Sequence, residues 1–468
     1  MKRISLVRFD ALAGYARQPM ARFQAEEVSW FELPSGAIVG AVIRDRSDHD
    51  FGGIVFARDA KLRFRCVNVT KFETSVRRAE ATLRRAMEEA ALAPPENHYQ
   101  GDEKGHPVDF FSFARPLKTL NSDFLQLAKL EAYSPAREII KVMMRWYEDA
   151  DGNFIEQFQT TGFDQRIWEL YLFAVFTEMG YQLEQNEPIP DFICSGIMGS
   201  FAVEAVTVGP TRRGRTVIDP PPLTSPGEIQ TYLTQYMPIK FGSALFSKLK
   251  KEYWKHSNVA GKPLIFAIED FSSPASLIHS RSALERYVYG YQYDWSFNSH
   301  NSLIITPKKI MVHSWDGKEI QSGFFDLPGA ENISAILFSN SGTIAKFNRM
   351  GILGNFGSKR VLLVREGTCV DFDPNAVEPK NFRHVVNTPN YSESWAEGLD
   401  VYHNPKAITP LDPELMPSAA HHFLQKDGTI VSNTPDWHPL ASVTAHFAPV
   451  DVESEVKRIM AKNVDRGL

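Results

Sequence analysis

Pro190-Asp191-Phe192-Ile193-Cys194 and, shortly after it, Phe201-Ala202-Val203-Glu204-Ala205-Val206-Thr207-Val208 are the stretches on which the reading of this chain turns. The second is almost wholly β-branched or apolar and is ended by Gly209-Pro210, so it reads as a central strand of a sheet. Strand alternation sets Glu204 on the same face as Ala202, Val206 and Val208. A lone carboxylate in that setting would be expelled or protonated unless something holds it. Two explanations stay open: a metal ion bridging Glu204 and Asp191, or an arginine or lysine reaching in from a helix. Asp191 alone is unremarkable, because Pro-Asp is common in turns.

Working outward, Asp164-Gln165-Arg166 starts a strongly apolar helix that runs through Met179, and Gly180 is placed to stop it in the left-handed conformation. Glu169 has Leu172, Phe173 and Phe176 as helical neighbours, so its carboxylate falls on an apolar face. It is either a capping or salt-bridging glutamate or an acid at the edge of an active site. A strand at Tyr181–Gln185 and a turn at Pro188-Ile189-Pro190 lead into the Asp191–Cys194 strand. After the proline-dense stretch Asp219–Pro226, helices are predicted over Glu228–Tyr236 and Gly242–Trp254, and then an all-apolar strand over Leu264–Ile268. Helix, three strands, helices and strand predict a small mixed sheet with helices on its faces.

This order of elements, with Glu169 on the first helix, Pro190-Asp191 on a hairpin and Glu204 on an apolar strand, resembles the PD-(D/E)XK nuclease superfamily over Asp164–Asp270. The resemblance implies an α/β fold with a restriction-endonuclease-like αβββαβ core. It implies Mg2+, with Mn2+ as a substitute, held by Asp191 and Glu204, with Ala205 as the backbone carbonyl position and Glu169 as an auxiliary acid. The superfamily's lysine, two residues after the glutamate, is here Val206. The following helix offers replacements, as in relocations among superfamily members. Lys248 shares a face with Phe241, Ala244 and Leu245, and Lys251 lies along Ala244 and Ser247. The plainer reading of each lysine is a stem laid on an apolar wall with a solvated tip. The catalytic set expected by resemblance is Glu169, Asp191, Glu204, Lys248 and Lys251. The expected activity is metal-dependent phosphodiester hydrolysis of nucleic acid, DNA in preference to RNA, of a restriction or phage-defence kind. The alternatives are a catalytically inactive nucleic-acid-binding or interaction module, with Glu204 neutralised by a basic side chain, and a structural protein whose first and last segments form an oligomer interface.

The chain has 468 residues, 43% of them hydrophobic and 23% charged, which fits a globular protein of two or three domains. Residues 1–150 read as an α+β accessory domain. Its strands are expected at Val28–Phe31, Ala37–Arg44, Gly52–Phe56 and Leu62–Val69, followed by a helix over Thr74–Leu92. Ser134-Pro135 looks like a capping serine with proline at the first helical position, opening a helix to Tyr147. Residues 151–300 form the core, and 301–468 a β-rich C-terminal domain whose tail from Thr388, dense in Pro, His, Asn and Asp, is expected to be mostly irregular.

A net charge of -5 gives no prior for a polyanionic partner, but Arg212, Arg213 and Arg215 form one basic cluster and Lys240, Lys248, Lys250, Lys251, Lys255 and Lys262 another. Each is either a nucleic-acid face or a solvated surface. No apolar run approaches a membrane span and the N-terminus turns charged before a signal core could form, so no membrane partner and a cytoplasmic location are expected. Cys66, Cys194 and Cys369 suit neither a disulfide framework nor a zinc site. Ser339-Asn340-Ser341-Gly342-Thr343 with Lys346 reads as a structural turn or a small anion-binding one.

Overall fold

The computed structural model describes residues 1–105, 107, 109–147, 152–184, 189–214, 216–273 and 276–464, with side chains to residue 461. The expected strand end at Gln185, the turn residue Pro188 and Arg215 lie outside them. The fold is mixed α/β, with an α+β N-terminal region and a β-rich C-terminal region.

Its centre is an eight-stranded sheet in which the Gly199–Val208 strand pairs antiparallel with Phe192–Gly196 and parallel with Leu264–Asp270. Gln182–Glu184 forms the edge beyond Phe192–Gly196. On the other side, Leu264–Asp270 pairs parallel with Ala335–Phe338, and Asp400–His403, Ala420–Leu424 and Ile430–Asn433 follow in that order. The sheet therefore crosses residue 300. Both faces are covered, which is why its central strands are apolar on both sides. The Phe163–Glu178 helix packs through Ile167, Trp168 and Phe176 on the face carrying Val203, Ala205, Ala267 and Leu337. The Met237–Leu249 and Ser276–Tyr289 helices pack on the face carrying Ala202, Val206, Phe266 and Ile268.

The first core helix lies where the apolar pattern predicts it, and Gly180 follows it at φ 94°. The two helices expected at Glu228–Tyr236 and Gly242–Trp254 are instead one continuous run: Pro226–Thr231, a π-helical turn at Tyr232–Tyr236, and Met237–Leu249. Pro238 accounts for the π turn. It has no N–H for the Thr234 carbonyl and its ring crowds that carbonyl, which instead bonds His313 Nδ1 at 2.6 Å. The run ends at Leu249 and not at Trp254, because Glu252 takes a left-handed conformation, φ 52°, and Tyr253–Lys255 forms a separate short turn.

In the N-terminal region, Lys2–Ile4, Ala25–Glu32, Ile38–Asp45, Phe51–Arg58 and Phe64–Val69 form a sequential antiparallel sheet. The Val76–Leu92 helix seals one face with Ala79, Leu83 and Met87 against Phe31, Val42 and Val55. Ser134 is not the expected cap. It lies inside the first turn of a helix that ends at Met143, and its Oγ donates to the Glu131 carbonyl at 2.7 Å.

The tail is not irregular. Asp400–His403, Ala420–Leu424 and Ile430–Asn433 extend the central sheet, and Pro439–Phe447 pairs with Leu362–Cys369. Its polar residues are buried against one another, as where the Asp400 carboxylate meets Arg281, His422 and His438. Such groups look solvated in a composition and are not. Among the described residues no helix is long and apolar enough to cross a membrane.

Candidate active site

The hairpin Phe192–Gly196/Gly199–Val208 positions the two acids. Its last paired register is Phe192 with Val203, so Asp191 and Glu204 stand opposite each other one step beyond. There the ladder gives way to a side chain: the Ala205 N–H donates to Asp191 Oδ2 at 2.7 Å. Glu204 is 5% exposed on the face covered by the Met237–Leu249 helix. Its Oε1 accepts from Lys248 Nζ at 2.5 Å and from the Tyr253 hydroxyl at 2.6 Å. Lys248 comes from the last turn of that helix, on the face of Phe241 and Leu245, which are buried.

Glu169, 2% exposed, takes three donors: Arg166 Nη1 at 2.6 Å, Gln165 Nε2 at 2.9 Å and the Tyr147 hydroxyl at 3.0 Å. Gln165 Oε1 in turn accepts from Thr207 Oγ1 at 2.8 Å, tying the helix to the strand of Glu204. Asp191 lies between the two acids electrostatically. Burial pushes its carboxyl well above the usual range, Glu204 and Glu169 push it further, and Lys248 and the Ala205 amide oppose them. Burial and then Glu204 likewise hold the Tyr253 hydroxyl in its neutral form.

Asp191 is thus within electrostatic reach of Glu169, Glu204 and Lys248, and Lys248 bonds Glu204. Lys251 is not brought to the carboxylates: it is exposed beyond the helix end, 5.9 Å from the Tyr253 ring centroid. Among the described residues no group of three or more His, Cys, Asp or Glu side chains is placed to hold a metal ion. Side-chain ligation of an ion here would therefore fall to Asp191 and Glu204 alone. Of the residues around Glu169, Gln165 and Arg166 could have been found from their i+4 and i+3 spacing to it. Tyr147 and Tyr253 arrive through tertiary packing, and no local pattern marks them.

Arg212 and Arg213 sit exposed on a small hairpin beyond Val208, where Arg213 pairs with Asp316 at 2.6 Å. Lys240 anchors the hairpin through the Gly209 carbonyl at 2.6 Å. Two sequence features resolve as structure. Lys346 is fully buried against Glu393 at 2.6 Å, so it is not free to serve an anion-binding turn. Burial lowers His422 to about 4 and His438 to about 3, leaving neutral rings on Asp400. No family model, curated protein or solved structure matches the chain at a significant level.

Proposed function

We propose that this protein hydrolyses phosphodiesters of nucleic acid, DNA in preference to RNA, with a divalent ion and a PD-(D/E)XK-like site in which Lys248 replaces the strand lysine. The observation that carries the reading is the lysine itself: its ammonium reaches Glu204 Oε1 at 2.5 Å from a helix, while the strand position two residues on is Val206. The donor set fits a hard cation. Asp191 and Glu204 offer oxygens only, and Mg2+ commonly uses one or two carboxylates with water and substrate oxygens completing its shell. The upward push on Asp191 by its two acidic neighbours is what a bound cation would relieve. Bound there, Mg2+ or Mn2+ would supply charge for activating water and for the phosphate oxygens in the transition state.

The chain's own groups then have distinct tasks. Asp191 and Glu204 would hold the ion. Lys248 would stabilise hydroxide and the charge building on the phosphate. Glu169, fixed by Arg166, Gln165 and Tyr147, would keep the acidic wall in place. Arg212 and Arg213 would meet backbone phosphates. A second reading has its own observation: Lys248 and Tyr253 already satisfy Glu204 Oε1, as a catalytically inactive binding module of this fold would require. Calorimetric titration with Mn2+ and cleavage assays on DNA and RNA separate the two. Hydrolysis predicts metal binding and metal-dependent cleavage by wild type, with both lost in Asp191→Asn and Glu204→Gln. A wild type that binds nucleic acid but neither binds Mn2+ nor cleaves supports the binding module.

A further inference from the structure

We propose that the basic cavity between the N-terminal sheet and the Phe163–Glu178 helix is a nucleotide-binding pocket, in which Arg22 holds a phosphate and Trp146, Tyr15 and Phe173 provide the wall for a base. The cavity is about 570 Å³, within the range of small-molecule sites. Four arginines line it, and three are already committed to carboxylates: Arg17 to Glu27 at 2.5 Å, Arg63 to Asp59 at 2.8 Å and Arg65 to Asp102 at 3.1 Å. Arg22 has no carboxylate partner among the described residues. Among the described residues its one hydrogen bond is a long contact from Nη1 to the Glu178 carbonyl, 3.5 Å, and the Glu178 carboxylate is itself taken by the Trp395 and Ala396 amides.

Gly180 makes this placement possible. The guanidinium of Arg22 lies where a Cβ at position 180 would be, so the site is shaped around an arginine whose remaining donors meet no protein acceptor among the described residues. Burial and the neighbouring Arg17 work against its charge, Asp10, Glu27 and Glu178 favour it, and the balance still lies below the ordinary value, a cost that an anion would offset. The other wall is aromatic. Tyr15 stacks on Phe173 with centroids 4.8 Å apart, and Trp146 lies 6.3 Å from Tyr15. Guanidinium beside π faces is the chemistry that takes a phosphate and a base together.

The pocket also lies beside the acidic site. Phe173 is four residues, about 6 Å of helical rise, beyond Glu169, and Trp146 precedes Tyr147, whose hydroxyl bonds Glu169 and whose ring packs on Phe173 at 5.6 Å. The occupant is a nucleoside phosphate, either free or as one unit of a strand. Its second form rests on the proposed function, whereas the pocket's affinity for the free form does not.

The test uses the full chain carrying Glu204→Gln, without divalent ion, so that loss of cleavage or metal binding cannot affect it. Tryptophan fluorescence and calorimetry follow binding of the four deoxynucleoside 5′-monophosphates, deoxyadenosine, inorganic phosphate, and single-stranded oligonucleotides with and without a 5′-phosphate. We expect a monophosphate to bind at least about 10-fold more tightly than its nucleoside or phosphate alone, the scale of a charge-assisted hydrogen bond. Arg22→Gln should lose about 10-fold, with Arg22→Lys between, while both keep the parent melting temperature; Trp146→Phe should retain binding and move the fluorescence signal. Binding of oligonucleotides alone supports the strand form, and binding of mononucleotides supports the free form. No binding of either, equal binding of phosphate and mononucleotide, or an unchanged affinity in a folded Arg22→Gln protein overturns the proposal.

Discussion

At the scale of single residues, the contrast between Val206 and Lys248 carries the most weight. Val206 is 2% exposed and packs in the apolar layer, so it can do nothing for a water or a phosphate. Lys248 reaches the same carboxylate from a helix on that face. Lys248→Met is therefore expected to bind DNA and metal but to cleave about 100-fold more slowly in single turnover, while Lys251→Met cleaves like wild type. A second residue gives a pH-dependent test. Glu269 is 1% exposed; burial pushes its carboxyl well up, the Gly342 amide opposes this, and Asp270 and Asp164 add to it. A carboxyl raised in the folded state favours folding below its unfolded pKa of about 4.3, and that contribution is lost as pH rises through the raised value. Glu269→Gln should therefore match wild type near pH 4 and exceed it at pH 9 by on the order of 1–3 kcal/mol, as read from urea midpoints at each pH. Glu204 was legible in the sequence because a charge in an apolar strand contradicts its surroundings. The face shared with Phe241, Ala244 and Leu245 also favoured Lys248, with Lys251 as second choice, whereas the helix end set by the left-handed Glu252 had no local signal.

Among the elements, the helix that carries Lys248 shows where local rules fail. Pro238 and Gly242 read as punctuation, yet both are interior. Gly242 allows close packing, since a Cβ there would run into Ile320 and the Tyr287 ring. Pro238 is accommodated by the π turn and by His313, which donates from Nδ1 to Thr234 O at 2.6 Å while Nε2 meets Ser322 Oγ at 2.8 Å. His313→Ala leaves a buried carbonyl and hydroxyl unpaired and opens a cavity, so it should cost about 1–3 kcal/mol, measured by chemical denaturation. By contrast, the Phe163–Glu178 helix and its Gly180 stop were readable, because a long apolar period and a left-handed glycine are local signals that packing here reinforces.

Across the whole molecule, the central sheet is assembled from distant parts of the chain, which is why its extent was invisible to a reading that moves along it. Ile336, Leu337 and Phe338 are fully buried beside Leu264–Asp270, although 60 or more residues separate the strands. Farther out, the Tyr289 hydroxyl donates to the His422 carbonyl at 2.7 Å and lies 3.1 Å from the His403 carbonyl. The N-terminal third is tied in as well: the Ala136 amide donates to Asn348 Oδ1 at 3.0 Å and Asn348 Nδ2 donates to the Ala132 carbonyl at 2.7 Å. Residues 151–300 alone would therefore lack the parallel partner of a fully buried strand. Its unpaired N–H and C=O groups would form an open apolar edge, the feature that natural sheets cover to avoid aggregation. Each lost contact with Ile336, Leu337 or Phe338 also removes part of the roughly 1.5–3 kcal/mol that burying such a side chain contributes, against a net stability of only about 5–15 kcal/mol for a domain. The fragment is expected to aggregate or to melt without a cooperative transition, while the full chain keeps every strand of the sheet together with Phe9, Leu12 and Phe64, which share its core, and melts cooperatively. Circular dichroism melts and amide proton dispersion of the two distinguish these outcomes. A well-dispersed spectrum and a sharp transition from 151–300 would mean that the hairpin carrying Asp191 and Glu204 holds its geometry without the C-terminal strands, and that those strands only extend a core already complete.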